Sequence, residues 1–431
     1  MRQGRPAASL ACAFVLTVGM AAGTAKFTTN RNHLTVVFGG EIRGYLAPCG
    51  CTTPLRGGIS RRGTAIKRLR AQGPVAAIEN GDLTLAEGRQ DELKAETLTD
   101  ALGALRYDAI ALGENDFDLG LDTLRALGGR SSPQLICANA VDETRRPAFP
   151  GHTVIRRKVG GVDRSISIWA AASPTLKTAG EVTLTDPVQA LRPASRQSGI
   201  RILAYHGRRN EAEAIARVNQ SFTLIVYAHG PDTPAPPVRI GRSTLVCAGS
   251  NGKYLGTATL DGSGSVLRVG SIALGEQLAN DPRIEIIRRA YLARVSSENL
   301  LALVPRKPLA DGEAYSGSAA CLPCHAGAHR VWAASGHARA MATLRKVGQD
   351  RDPECVPCHV VGASHEGGYI DRKSSDLAHV GCENCHGPGR RHVDDPTRKP
   401  TRGGRSSCSP CHVPNHSPGF RYEAYWKMIR H

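Results

Sequence analysis

Four copies of one short motif, Cys-x-x-Cys-His, lie between residues 321 and 412 and strongly limit what that region can fold into. Two thiols followed at once by an imidazole suit covalent attachment of a c-type haem, in which the thiols bind the porphyrin and the histidine binds the iron. A zinc ribbon needs such thiol pairs but no histidine after each, and disulfides are the other alternative. Four repeats favour four haem c groups, held by Cys321, Cys324 and His325; Cys355, Cys358 and His359; Cys382, Cys385 and His386; and Cys408, Cys411 and His412.

The segment 313–431 around these motifs is rich in glycine and proline and has few long apolar runs. Such a segment builds a protein core poorly, so porphyrins would supply the missing apolar mass. We therefore expect a mainly α, turn-rich multihaem domain. Seven further histidines exceed the four that a second axial ligand on each iron requires: His329, His337, His365, His379, His392, His416 and His431.

Residues 315–431 resemble the tetrahaem cytochrome c-554 family, on strings such as "GSAACLPCH", "VWAASGHARAMATL" and "HVGCENCHGPGRRH". The resemblance implies that the four motif histidines are proximal ligands and suggests His337, His379 and His392 as distal ligands. The fourth distal position is then His416, His431 or vacant. It implies an electron carrier, with a multihaem oxidoreductase acting on small nitrogen species at an open haem as the alternative.

The region 33–275 has a different pattern, in which short apolar runs alternate with amphipathic stretches. Runs such as "HLTVVFGG", "PVAAIEN", "YDAIALG" and "FTLIVYAHG" predict buried strands, and "DELKAETLTDALGALR" and "NEAEAIARVNQ" predict helices. The expected fold class is α/β, a layered sandwich. Polar residues directly follow several strands, where α/β sheets place ligand sites.

The order of these elements resembles the calcineurin-like metallophosphatase domain of the 5′-nucleotidase type, as do "ANAVD" and "VCAGSNGKYLGTATLD". That family holds two divalent metals that activate a hydroxide. Most family ligands are changed here, and Arg43 would repel a metal. A single divalent ion held by Asp82, His206, His229, Glu41 and Glu114 is still possible, because carboxylates suit hard cations. These departures from the family pattern predict an inactive phosphohydrolase fold, with metal-dependent phosphohydrolysis as the alternative.

The amino terminus has the pattern of a secretory signal peptide, with Arg2 and Arg5 before a short apolar run. We expect cleavage near Ala25, which places the protein in the periplasm and removes Cys12. Export makes nucleic acid an improbable partner despite the net charge of +17. The expected partners are redox proteins, periplasmic or membrane-bound, and the haem-attachment machinery.

The remaining segments are a connector and a second cysteine pair. Residues 276–312 predict a connecting helix and linker, with Asp281 as its cap and Pro282 in its first turn. Cys49 and Cys51 form a Cys-Gly-Cys string after the first strand, for which we favour a structural role and leave a redox role open. The predicted domains are therefore 1–25, 33–275, 276–312 and 313–431.

Overall fold

A computed structural model of the chain describes residues 31–48, 54–85, 88–130, 133–178, 181–401, 403–414 and 416–431. The predicted signal peptide, with Cys12, and the Cys49–Cys51 pair lie outside these residues. Within the described ranges, every helix is too short or too polar to cross a membrane.

The amino-terminal region contains two six-stranded sheets and a small two-stranded one. The strands, in chain order, are β1 Leu34–Phe38, β2 Val75–Asn80, β3 Ala109–Ala111, β4 Gln134–Ile136, β5 Ala140–Val141, β6 His152–Val159, β7 Val162–Ala172, β8 Thr183–Leu184, β9 Ile200–His206, β10 Leu224–Tyr227, β11 Ala235–Ile240, β12 Ser243–Cys247, β13 Tyr254–Leu260 and β14 Val266–Ala273. The first sheet has the order β14-β13-β1-β2-β3-β4 and the second β11-β12-β10-β9-β7-β6. In the first sheet β1 to β4 are parallel, and β13 and β14 add two antiparallel pairings at one side. In the second sheet β7, β9, β10 and β12 are parallel, with antiparallel strands β6 and β11 at the edges.

Helices cover the outer faces of these sheets, and short helices joined by turns lie along the carboxyl-terminal segment. In chain order they are α1 Ile59–Gln72, α2 Arg89–Ala104, α3 Glu114–Phe117, α4 Leu121–Arg130, α5 Pro187–Ala190, α6 Arg209–Val218, α7 Pro282–Ser297, α8 Ala326–Ala334, α9 Ala340–Val347, α10 Glu383–His386, α11 Arg390–Asp394, α12 Arg405–Cys408 and α13 Tyr422–Ile429.

Three apolar clusters hold the amino-terminal layers together. One lies between the two sheets and includes Val36, Ile168 and Val226. A second packs the first sheet against α1, α2, α4 and α7, and a third packs the second sheet against α6. The result is the predicted layered α/β sandwich, with parallel strands buried on both faces and helices outside.

The strand predictions are confirmed where a short apolar run is buried on both sides. Thus β1, β2, β3 and β10 lie within the predicted runs, and α2 and α6 coincide with the two predicted helices. The hairpin of β6 and β7 was not predicted, because β6 has mixed burial and contains three consecutive basic residues, Arg156, Arg157 and Lys158. Its turn uses Gly160 and Gly161, both at positive φ, as a tight hairpin requires.

The connecting helix α7 forms as predicted. Asp281 caps it by accepting a hydrogen bond from the backbone N–H of Arg283 at 2.9 Å, and Pro282 opens the helix. Ile284, Tyr291 and Val295 are buried in the cluster that covers the first sheet. This helix is therefore part of the helical layer of the sandwich as well as the link to the next segment.

The carboxyl-terminal segment buries far fewer apolar side chains. Its cluster consists of Met341, Leu344, Val356, Val360, Ala363 and Tyr369, together with Leu301 from the preceding linker. Helices α8, α11, α12 and α13 bury none of their described residues. The helices are short and are joined by turns, as the glycine and proline content predicts.

A buried ion pair lies between α1 and the first sheet. The guanidinium of Arg62 contacts the carboxylate of Glu79, and both side chains are at most 1% exposed. The hydroxyl of Tyr107 lies 3.4 Å from Arg62 Nη1. Removing one partner of a buried pair leaves an uncompensated charge, which costs more than the pair itself contributes.

We expect Arg62→Met to lower the free energy of unfolding by about 3–5 kcal/mol, because it leaves the carboxylate of Glu79 without its partner in the core. The double variant Arg62→Met/Glu79→Gln should recover much of that loss, since no charge is then buried. Urea unfolding of the wild type, both single variants and the double variant measures this. Additive losses in the double variant would contradict the idea.

Candidate functional site

The amino-terminal site forms where five strand ends meet at the carboxyl edges of the two sheets. Glu41 follows β1, Asp82 follows β2, Glu114 follows β3, His206 ends β9 and His229 follows β10. Ligand atoms of Glu41, Asp82, His206 and His229 all lie within 4.8 Å of one another. All five residues that the sequence selected are therefore brought together, because Glu114 contacts both histidines. We call these five the acid–histidine cluster.

His206 is the centre of this cluster and is fully buried. Its Nδ1 lies 2.8 Å from the backbone carbonyl of Asn80, so this nitrogen donates and Nε2 faces the cluster. Nε2 lies 2.8 Å from Glu114 Oε2 and 3.4 Å from Asp82 Oδ1. A backbone acceptor on Nδ1 fixes the ring, and Nε2 can bind a metal once it gives up its proton, as in the arrangement that orients metal-binding histidines.

Glycines make room for the His206 ring. A Cβ at Gly81 would lie 2.4 Å from His206 Nδ1, and one at Gly113 would lie 2.5 Å from Nε2. Asp82 and His229 themselves have left-handed backbone conformations, with φ of 50° and 47°. Strained backbone of this kind concentrates at functional sites, where the surrounding structure holds it.

Asp116 joins the two loops that carry Asp82 and Glu114. Its carboxylate accepts hydrogen bonds from the backbone N–H groups of Asp82, Leu83 and Gly113 at 2.7–2.9 Å. Burial and the neighbouring Asp82 carboxylate raise the pKa of Asp116 to about 7, against the effect of these donors. The sequence offered only its place in "GEND" after a strand, so its anchoring role was not predicted.

The protonation states of the cluster are coupled. Burial favours a neutral His206, but the carboxylates of Asp82 and Glu114 outweigh burial and raise the pKa of His206 well above its usual value. Burial would raise the pKa of Glu114, but both histidines outweigh it and that pKa lies well below its usual range. A cation entering the cluster must displace a proton, so affinity for cations should rise with pH.

Arg43 approaches the cluster from the loop after β1. Its Nη2 donates to Glu41 Oε1 at 2.6 Å, and its backbone is left-handed, with φ of 54°. Its side chain is 27% exposed. The guanidinium therefore binds a carboxylate oxygen that a metal ion could otherwise use, in line with the predicted unfavourable effect of Arg43.

The oxygen and nitrogen ligand atoms of the cluster are close enough together to bind one metal ion.

The carboxyl-terminal segment places histidine rings in facing pairs. The ring centres are 6.0 Å apart for His325 and His392, and 6.3 Å for His337 and His412. The pair His386 and His431 has a separation of 5.9 Å. Each pair joins one motif histidine to one of the seven additional histidines.

His379 is in a different setting from these pairs. Its Nδ1 accepts the backbone N–H of Met341 at 3.2 Å. The adjacent carbonyl, that of Ala340, lies 2.7 Å from Nδ1 of the motif histidine His359. His359 and His379 thus both contact the start of α9.

A large cavity adjoins the second and fourth motifs. It has a volume of about 1340 Å³, above the roughly 300–1,000 Å³ typical of small-molecule sites. Its walls include both thiols and the histidine of each of these motifs: Cys355, Cys358, His359, Cys408, Cys411 and His412. A smaller cavity is lined by Cys321, His325, Cys382, Cys385, His386 and His431. Thiols and imidazoles on the walls of cavities in a segment with little core fit covalently bound porphyrins.

Thiols of different motifs also lie next to each other. Cys321 is hydrogen-bonded to Cys382, and the pKa of Cys382 falls to about 6 because Cys321 stabilises its thiolate. Cys411 is hydrogen-bonded to Cys358. The first motif is therefore next to the third, and the second is next to the fourth.

Comparison with known proteins separates the chain into two parts. Residues 320–387 match the family model described as cytochrome c554 and c-prime. A stretch of 112 residues is 35% identical to cytochrome c-554 of Nitrosomonas europaea, covering 22% of this chain and 48% of that protein. The carboxyl-terminal segment is cytochrome c-554-like. The chain spans about half the length of this relative.

The remainder has the fold of calcineurin-like phosphoesterases. A 5′-nucleotidase precursor from Thermus thermophilus superposes with a TM-score of 0.53 at 20% identity, over 73% of this chain and 68% of that one. The calcineurin-like phosphoesterase YfkN from Bacillus subtilis gives 0.52 at 16%, over 61% and 97%. The sulfate thiohydrolase SoxB from Thermus thermophilus gives 0.52 at 16%, over 61% of each chain. At these identities the likeness establishes the fold, and both predicted resemblances are confirmed.

We expect Arg43→Met to tighten binding of Mn²⁺ about tenfold or more, because it removes a positive charge beside Glu41 and frees an oxygen ligand. Isothermal titration calorimetry on the haem-loaded protein measures the affinity. Arg209→Met, which removes an exposed arginine from α6, is the matched control and should leave affinity unchanged. Equal affinities for Arg43→Met and the wild type would show that Arg43 does not compete with the ion.

Proposed function

We propose that this protein is an exported tetrahaem electron carrier, whose cytochrome c-554-like segment is fused to a phosphoesterase fold that does not act as a two-metal hydrolase. The facing histidine pairs carry the proposal. A metal–imidazole bond is about 2 Å long and the ring centre lies about 1 Å further, so two imidazoles on opposite faces of one iron have centres about 6 Å apart. Three pairs at 5.9–6.3 Å match this spacing.

The residues that would hold the haems follow from this geometry. Each motif supplies two thiols and its histidine, and His392, His337 and His431 would be the second ligands opposite His325, His412 and His386. We assign His379 a positioning role at α9, because its Nδ1 accepts a backbone hydrogen bond and the ring proton is therefore on Nε2, the nitrogen that would bind iron. Haem iron with two imidazole ligands supplies one-electron transfer.

Hydrogen bonds to the outer ring nitrogens support these assignments. Nδ1 of His386 lies 2.8 Å from the carbonyl of Thr401, and Nδ1 of His359 lies 2.7 Å from that of Ala340. Nδ1 of His392 lies 2.6 Å from the carbonyl of Arg398. A carbonyl partner fixes the proton on Nδ1 and leaves Nε2 to bind a metal, and it also sets the orientation of the ring.

Contacts between motifs suggest the order in which electrons would pass. The thiol contacts place the first motif beside the third and the second beside the fourth. The third and fourth are joined where the hydroxyl of Ser407 donates to the carbonyl of Cys385 at 3.2 Å. The resulting order is first, third, fourth, second, which places the motif of Cys355, Cys358 and His359 at one end.

The location and partners follow from the chemistry of attachment. Thioether formation needs the haem-attachment machinery, and with the predicted signal peptide this places the mature protein in the periplasm. Electron carriers exchange electrons with partner proteins, and the basic character of the chain suits acidic partners or an anionic membrane surface. The propionates of four haems would offset part of the positive charge.

The amino-terminal cluster supports one bound ion. The two-metal mechanism requires a second ion to neutralise the developing charge on phosphorus. Glu41, Asp82, His206 and His229 have ligand atoms within 4.8 Å of one another, which suits one ion. We therefore propose that normal phosphohydrolase activity has been lost and that the cluster retains a single divalent metal.

Four haems per chain are expected when the protein is produced together with the haem-attachment machinery. The alkaline pyridine haemochrome spectrum, divided by the protein concentration, measures this number. Cys408→Ala/Cys411→Ala should lower it to three. A colourless protein, zinc at the thiols, or clearly fewer than four haems in the wild type would overturn the proposed function.

His431→Ala should convert one haem from low spin to high spin, because the ring opposite His386 is removed. The electronic absorption and electron paramagnetic resonance spectra measure the change, which should affect one haem in four. His152→Gln is the control, because this histidine stacks on Trp169 in the amino-terminal sandwich. An unchanged spin state in His431→Ala would rule out its ligand role.

A further inference from the structure

The large cavity beside the second motif is shared by both parts of the chain. From the amino-terminal sandwich it is lined by residues 43–48, Lys94 and Tyr291, and from the other side by Cys355, Cys358 and His359. In the segment 41–46, Glu41 belongs to the acid–histidine cluster and residues 43–46 line the cavity.

Arg43 belongs to both places. Its guanidinium binds Glu41 in the cluster, and the same residue lines the cavity. Its backbone N–H donates to the carbonyl of Asp82 at 2.8 Å, so it is held by a second cluster residue. Arg43 therefore contacts the cluster and also lines the cavity beside the second motif.

Polar contacts hold the second motif against the sandwich. Gln90 on α2 donates to Asp352 Oδ1 at 2.8 Å and to the hydroxyl of Tyr291 on α7 at 2.9 Å. Asp352 is 5% exposed, and its backbone carbonyl accepts a hydrogen bond from the backbone N–H of Cys355 at 3.0 Å. The buried Lys94 also pairs with Glu354. The position of this motif relative to the cluster is thus set by packing and not by a free linker.

We propose that the acid–histidine cluster and the second haem-attachment motif form one composite redox centre, in which a transition-metal ion held by Glu41, Asp82, His206 and His229 exchanges single electrons with the iron bound at His359. This rests on the proposed function, because it requires a haem at Cys355 and Cys358.

The donor set suits such an ion. Imidazole and carboxylate ligands together bind iron and copper, whose oxidation states change by one electron. The exchange would balance without a further reactant, because the one electron that one metal loses is the electron that the other metal gains. Up to three carboxylates around the ion stabilise its positive charge.

Proximity is tested by adding Mn²⁺ or Zn²⁺ to the oxidised tetrahaem protein. Both ions carry the same charge, but only Mn²⁺ is paramagnetic, so it should speed the spin relaxation of one haem in the electron paramagnetic resonance spectrum. Glu41→Gln and Asp82→Asn should abolish the effect, and the exposed Glu143→Gln is the matched control that should retain it. Tight Mn²⁺ binding with unchanged relaxation of all four haems would overturn the proposal.

Electron exchange is tested with Cu²⁺ mixed anaerobically with the fully reduced protein in a stopped-flow instrument. Copper bound at the cluster should oxidise one haem equivalent per ion at a rate that saturates with copper concentration. In Glu41→Gln and Asp82→Asn the rate should instead rise linearly, as for collisions with free copper. Linear kinetics in the wild type would overturn the proposal.

The number of haems per chain shows whether a negative result contradicts the proposed function or only the composite centre. Fewer than four haems in the wild type contradicts the proposed function itself. Four haems with no bound metal, or with a bound metal that no haem senses, contradicts only the composite centre.

Discussion

The structure depends on where apolar side chains are buried. The amino-terminal sandwich has three apolar clusters that fill the spaces between its four layers. The carboxyl-terminal segment has one small cluster, and several of its helices bury none of their described residues. A segment of this size with so little core needs another source of buried surface. Cavities lined by thiols and imidazoles show where porphyrins would supply it.

The two parts are joined more closely than a fusion through a linker would suggest. Helix α7 contributes to the core of the sandwich, and Tyr291 on it shares the side chain of Gln90 with Asp352 at the second motif. Acidic and histidine side chains converge at the strand ends of the sandwich, and the loop after β1 continues from them to the cavity beside the second motif. The glycines that admit the His206 ring show that the fold accommodates this cluster closely.

The sequence was informative where one physical rule dominated. Buried parallel strands appear as short apolar runs, so β1, β2, β3 and β10 were predictable, and the polar residues after them were expected to converge. The β6–β7 hairpin was missed because its strand β6 is half exposed and charged. The role of Asp116 was missed because hydrogen bonds to backbone groups of distant loops leave no pattern in the chain.

The chain itself determined the chemistry of its sites. The spacing of thiols and histidine within each motif is local, so it can be read without a fold, and the same holds for the order of strands and their polar ends. Tertiary structure decided which histidine faces which. His431, at the far end of the segment, meets His386, whereas His379, only a few residues before His386, contacts α9 instead. Pairing across space depends on how helices and turns pack, and packing is a property of the whole chain and not of any one stretch.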